Sequence, residues 1–300
     1  MGDGINIFTF YSYKGGVGRS KALANVGAQL ARWGYKTLMI DWDLEAPGLE
    51  DYFDKYFRRD WDAKSQEGLI DILHPIFKGT QNPEDVSNSW ENKLINIPLE
   101  KDPSIGNLYL LSAGKRDEHY FNKVRELDFK DFYKNKSGGE VIEKFRDSLK
   151  DKFDFILIDS RTGNTDVGNI CTAQMPDILV VLFTAMNASV EGVINTALRA
   201  NRNRASLPVE RFKMPILPIP TRMDLTERTK RDSWLSTFAT RFKDLIEEWL
   251  EVEEHFNPNE VPEATEFEEG FEDREKHIES HKNDFVRSQL KNYSHILFCD

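Results

Sequence analysis

A chain of 300 residues, 39% of them hydrophobic and with 20 Phe, 9 Tyr and 6 Trp, is long enough to enclose one large core or two small ones. Its two cysteines, Cys171 and Cys299, lie far apart, which excludes a disulfide framework and a paired-cysteine metal site and suits a reducing cytoplasm. The net charge of -11 argues against nucleic acid only until it is mapped: residues 247 to 279 hold fourteen Asp/Glu against two Lys/Arg, whereas residues 199 to 231 hold nine Lys/Arg against three Asp/Glu. The opening MGDGINIFTF lacks a basic stretch followed by a long apolar run, and no segment approaches the roughly 20 apolar residues of a membrane helix. A cytoplasmic protein without a transmembrane segment is expected.

INIFTFYS (5 to 12) is an apolar, aromatic run that stops at a Gly-rich stretch, and beyond Ser20 the spacing of Ala22, Val26, Leu30 and Trp33 is helical. Strand, loop and helix follow in order, and Gly34 closes the helix. YKTLMIDWD (35 to 43) predicts a second buried strand ending in two carboxylates. Residues 44 to 105, rich in aromatic and charged side chains, read as a helical and irregular insertion. LYLLSAG (108 to 114), FDFILID (153 to 159), DILVVLFT (177 to 184) and MPILPIP (214 to 220) predict further strands, with helices over 139 to 153 and near 190 to 205. Continuous apolar strands alternating with helices predict an α/β fold, a doubly wound and mostly parallel sheet with helices on both faces. Residues 1–232 are expected to form this domain. Residues 233–300, helical at first and then rich in Pro and Glu, are expected to be an acidic helical extension packed on it.

YSYKGGVGRSKALANVG (11 to 27) carries the chemistry. In a phosphate-binding loop, consecutive backbone N–H groups point into a small concavity, and glycines let the backbone approach the phosphates. Gly15, Gly16 and Gly18 supply that freedom around Val17, and the helix that begins near Ser20 and Lys21 adds its N-terminal dipole. Ser20 stands where a hydroxyl ligates Mg²⁺. Against the usual G-x-x-x-x-G-K-[ST], Tyr13 replaces the first Gly and Arg19 replaces the Lys. A guanidinium keeps the positive charge and can grip phosphate oxygens as a fork, but it is larger and planar where an ammonium is compact. Nucleotide binding is expected to survive, and hydrolysis, which depends on charge placement in the transition state, to be slow.

K-G-G-x-G with its own early lysine resembles the deviant Walker A motif of the ParA/MinD family of P-loop ATPases. DWD (41 to 43) resembles the family's second acidic motif, FDFILIDSRTG (153 to 163) its Walker B strand and switch loop, and LVVLFTAMNASVEGV (179 to 193) the strand and helix that follow. The resemblance spans roughly residues 5 to 225, and KGGVGRS with DWDLEAPGLE and DSRTG is similar to a branch near that group. It implies an ATP- and Mg²⁺-dependent switch that forms a homodimer through bound ATP and controls a partner protein. It also implies that Lys14 reaches the partner subunit's phosphates, that Asp43 orients the attacking water beside the metal, that Asp159 holds Mg²⁺ through its water shell, and that the Gly163 backbone senses the γ-phosphate. Such roles are physically sensible, because carboxylates at the C-terminal ends of adjacent parallel strands converge on the ligand crevice. Asp41 could as easily cap the local turn. The 44 to 105 insertion is then expected over the ATP face or the sheet edge.

Base recognition is read from PTRMD (220 to 224): Thr221 stands where relatives place an Asn-containing loop at the adenine, and Asp224 resembles the last position of a guanine-reading N-K-x-D. A plain turn fits as well, so ATP is preferred over GTP on family grounds alone. His277 and His281 of HIESH share a helical face, but the order is not HExxH and no third zinc ligand is evident. The basic stretch 199 to 231 suits either DNA phosphates or the solvated end of a helix. The acidic stretch suits a solvated surface or a basic partner, and FVRSQLKNYSHILFCD lacks the clean amphipathic stripe of a membrane anchor; its apolar ending also fits a chain that continues. Two rivals to the switch stay open: a nucleotide-binding regulatory module that never turns over, and an ATP-dependent small-molecule kinase or ligase.

Overall fold

The computed structural model describes residues 6–59, 61–80, 89–99, 107–163, 170–207, 211, 213–222 and 228–250. β1 (Ile7–Ser12) leads through the glycine loop into α1 (Arg19–Arg32) and β2 (Thr37–Asp41). Then come α2 (Leu69–Lys78), β3 (Ile95–Ile97), β4 (Leu108–Leu111), α3 (Tyr120–Arg125), α4 (Phe129–Asn135), α5 (Gly138–Lys150) and β5 (Phe155–Asp159). β6 (Ile178–Thr184), α6 (Asn187–Ala205), β7 (Ile216–Thr221) and α7 (Arg228–Leu250) complete the described elements. The strands form one sheet in the order β3-β4-β2-β5-β1-β6-β7. β1 pairs in parallel with β5 and β6, and β2 in parallel with β4 and β5, whereas β3 runs antiparallel to β4.

The apolar runs are continuous because these strands are covered on both faces: every residue of β2 and of β5 is buried. Helix α1 lays Leu23, Ala24, Gly27, Leu30 and Ala31 inward. It approaches so closely that a Cβ on Gly27 would stand 2.7 Å from the sulfur of Met39. On the other side of the sheet, one core joins Leu38, Ile40, Ile156 and Ile158 to Leu69–Phe77 of α2, Phe132 of α4 and Val141–Leu149 of α5. The described residues form two compact units, one within residues 6–214 with 218–222 and the other of residues 215–217 with 228–250. Within the second, α7 stacks Trp234 on Phe238 with ring centroids 5.4 Å apart and buries Phe238, Phe242 and Leu245 at helical spacing.

The insertion differs from the sequence reading in one respect. It contains 3-10 turns at Leu49–Tyr56, Ala63–Ser65 and Glu91–Lys93 and the helix α2, but also β3, an edge strand. Three residues, INI, are too short to display the alternation that marks a strand. The same shortness hid α3 and α4, of six and seven residues.

The basic stretch from 199 is not uniformly solvated. A single turn of π-helix, Ile170–Gln174, precedes β6, and arginines from three places close on the carbonyls at its end. Arg146 donates to Met175 O at 3.0 Å, Arg204 to Ala173 O and Pro176 O at 2.9 and 2.8 Å, and Arg211 to Gln174 O at 2.8 Å. Arg146 also pairs with Asp177, and Arg211 with Glu143. Two residues that composition assigned to a solvated or DNA-facing patch are thus internal clamps. Removing a donor from buried carbonyls strands them without partners. Arg204→Ala is therefore expected to lower stability by about 2–3 kcal/mol in urea unfolding, and the exposed neighbour Arg202→Ala by less than about 0.5 kcal/mol. Equal effects would show that the clamp contributes nothing.

Candidate nucleotide-binding site

The site starts from a strand that ends at a loop of three glycines. Gly16 and Gly18 take φ of +73° and +96°, the left-handed region that a side chain resists, and Gly18 forms the N-cap of α1. Lys14, Gly15, Gly16, Gly18 and Lys21 are exposed, while Val17 is buried and anchors the loop from below. The Ser12 hydroxyl donates to Lys14 O at 3.0 Å. Tyr13, in place of the motif's first glycine, leaves the loop and lays its ring against α6. A Cβ on Gly192 would stand 2.1 Å from that ring, so Gly192 makes the room.

Below the loop, Arg19 turns inward and is only 7% exposed. Its Nε donates to Asp159 Oδ1 at 2.5 Å and its Nη2 to Asp43 Oδ2 at 2.9 Å. Burial opposes the charge, but Asp159 and Asp43 outweigh it and push the guanidinium pKa further up, so Arg19 is permanently charged. Nη1 is buried without a partner. The half-buried Ser20 hydroxyl lies near Asp159 and favours its ionised form. A hydroxyl beside a carboxylate is a hard-oxygen set that suits Mg²⁺ with several waters retained. Among the described residues no group of three or more His, Cys, Asp or Glu is placed to hold a metal.

The strand register explains why the carboxylates meet: Asp41, the last residue of β2, lies opposite Asp159, the last of β5. Asp41 is fully buried, and of its two possible roles the capping one is visible. Its Oδ1 accepts from Asp43 N at 3.1 Å, and its Oδ2 from Gly48 N and Leu49 N at 2.9 and 3.1 Å. Gly163 offers its carbonyl to the Tyr11 hydroxyl at 3.4 Å, and that hydroxyl also meets Thr196 Oγ1 at 3.1 Å. Arg161 and Glu45 form an ion pair that ties the segment after β5 to the segment after β2, a link the sequence did not reveal. Thr221 closes β7 with its hydroxyl given to Phe183 O at 3.1 Å. Asp224, the HIESH pair and the C-terminal tail lie outside the described residues.

Cys171, on the π-helical turn, is buried, and burial drives its thiol well up, which leaves it unreactive. An open concavity of about 500 Å³ along β3, lined by Tyr56, Phe57, Trp61, Lys93 and Asn96 among others, shares no residue with the glycine loop. No helix of the described residues is long and apolar enough to cross a membrane.

Burial raises the Asp41 carboxyl to about 7, helped by Asp159 and Glu50 and opposed by the Leu49 and Gly48 N–H groups. Its folded pKa is above the ordinary 3.8, so the stability tied to the protonated form is fully present below about pH 4 and lost as pH rises through about 7. Asp41→Asn abolishes that loss. The difference in urea midpoint between variant and parent should therefore move in the variant's favour from pH 5 to pH 8, and a constant difference would refute a buried, titrating Asp41.

The model of the CobQ/CobB/MinD/ParA nucleotide-binding domain matches residues 8–235. An uncharacterised ATP-binding protein of Methanocaldococcus jannaschii is 25% identical over 206 residues, and the septum site-determining protein MinD of a Synechocystis strain is 27% identical over 209. These matches cover 68% and 69% of this chain but 63% and 65% of those relatives, so the chain spans under two thirds of their length. Among solved structures, the ATP complex of a McdA variant from Cyanothece is similar with a TM-score of 0.54 at 18% identity, covering 81% of this chain and 82% of the other, a likeness of fold. A glycine loop between β1 and α1, acidic strand ends beside it and a matched model over most of its length make this chain a member of the CobQ/CobB/MinD/ParA nucleotide-binding domain family, with the P-loop fold of the ParA/MinD ATPases.

Proposed function

We propose that the chain binds Mg·ATP at Gly15–Ser20, dimerises through it with Lys14 reaching the partner subunit's phosphates, and releases a partner protein after slow hydrolysis. The observation that carries this reading is the meeting of Arg19, Ser20, Asp43 and Asp159 beneath an exposed glycine loop. The first N–H groups of α1 have no intrahelical partners and suit phosphate oxygens, and the α1 dipole favours their charge. The exposed Lys14 side chain is available to a second subunit. Asp43, at the C-terminal edge of the sheet, orients the attacking water. Ser20 and, through water, Asp159 would hold Mg²⁺, which would supply positive charge at the phosphates. The Gly163 backbone would then report the γ-phosphate.

One observation favours a second reading, a nucleotide-binding module without turnover: Arg19 occupies the Asp43 carboxylate that hydrolysis requires. ATP turnover with Mg²⁺, with oligomeric state followed by light scattering, separates the two. In the switch, slow turnover falls at least about 100-fold in Lys14→Ala and in Asp43→Ala, while ATP-dependent dimers persist in the Asp43 variant. ATP binding without turnover or dimers in any sample leaves the second reading.

A further inference from the structure

The Arg19 guanidinium has one edge made of Nε and Nη2, which commonly grips a single carboxylate through two parallel bonds. Here that edge is divided between two strands, with Nε on Asp159 at the end of β5 and Nη2 on Asp43 just beyond β2. Nη1 is shielded and unpartnered. Gly15, Gly16 and Gly18 above are exposed, and a Cβ on any of them would meet nothing within 4 Å. With Nε and Nη2 on carboxylates and Nη1 shielded, Arg19 has no exposed, unengaged nitrogen to offer a phosphate cradled by those glycines. The guanidinium can serve that phosphate only by leaving the bridge.

We infer that Arg19 is a latch: an arriving phosphate draws it off Asp43 and Asp159, and only then are these carboxylates free for water and metal. The inference rests on ATP binding at the glycine loop and deepens that reading. Arginine suits the task because its planar fork spans two acceptors at a fixed separation and its charge is fixed. While the bridge stands, it masks two negative charges that would repel the phosphate. Once it opens, the unspent Nη1 gains the acceptor it lacks. Arg19 is in this sense a positioning residue that orders two events, phosphate first and carboxylates second.

The latch predicts that nucleotide entry is limited by opening the bridge. Association of a fluorescent ATP analogue with the full chain, followed by stopped flow at about 0.5 M salt, isolates that step because long-range steering is screened. Asp43→Asn and Asp43→Ala each weaken one arm and should raise the association rate about tenfold. Glu45→Gln, which removes a nearby charge that does not touch Arg19, should leave it within about twofold of the parent. An equal or slower rate in both Asp43 variants overturns the latch, and so does a similar acceleration in the Glu45 variant, which would assign the effect to charge alone. Saturable binding accompanied by either result leaves ATP binding intact. Failure of the parent and all variants to bind the analogue overturns the ATP reading and the latch together.

Discussion

One buried positive charge makes the C-terminal edge of this sheet possible. Parallel pairing of β2 with β5 sets Asp41 opposite Asp159, and Asp43 lies two residues further on. Three carboxylates so close would repel one another. The Arg19 guanidinium neutralises two of them, and three backbone N–H groups satisfy the third. Taking away one partner of a buried pair costs more than the pair contributes, since the remaining charge is left desolvated. Strand spacing, the turn after β2 and the depth of α1 are therefore all tied to the residue that stands where the motif has lysine.

Much of the frame was legible because long parallel strands write themselves as unbroken apolar runs. β1, β2, β4, β5 and β6 all fall within the predicted stretches, trimmed by one to three residues at one or both ends, and β7 starts two residues later and ends one residue later than its predicted stretch. β3, α3 and α4 were not legible, because three to seven residues cannot display a period. At the site, the glycine loop and the acidic strand ends could be read from motif and spacing. The direction of the Arg19 side chain could not, because it depends on which strand ends become neighbours, a property of topology rather than of local sequence. Arg204 and Arg211 looked like surface cations for the same reason: composition counts charges but not the carbonyls that meet them.

The insertion is also more than a cover. Leu69, Ile70, Leu73, Ile76 and Phe77 of α2 share one core with β2, β5 and α5. Phe77 stacks on Phe132 of α4 with centroids 4.1 Å apart. Interiors packed at this density respond to the loss of even one methylene, so α2 belongs to the folding unit that supports the site. The arginine clamp works within the same unit. It ties α5, α6 and the chain at Arg211 to four successive carbonyls, residues 173–176, just before β6.

The Tyr13–Gly192 contact bears on how this sequence can drift over time. A ring that fills the space of a missing Cβ makes the two positions a lock and its keyhole, although 179 residues separate them along the chain. Any larger residue at 192 needs a smaller one at 13, and a return to the glycine of the common motif at 13 opens a hole that a side chain at 192 can fill. Related sequences should accordingly exchange these two residues as a pair, so that aromatic character at the mouth of the loop is inherited together with glycine in the helix behind it.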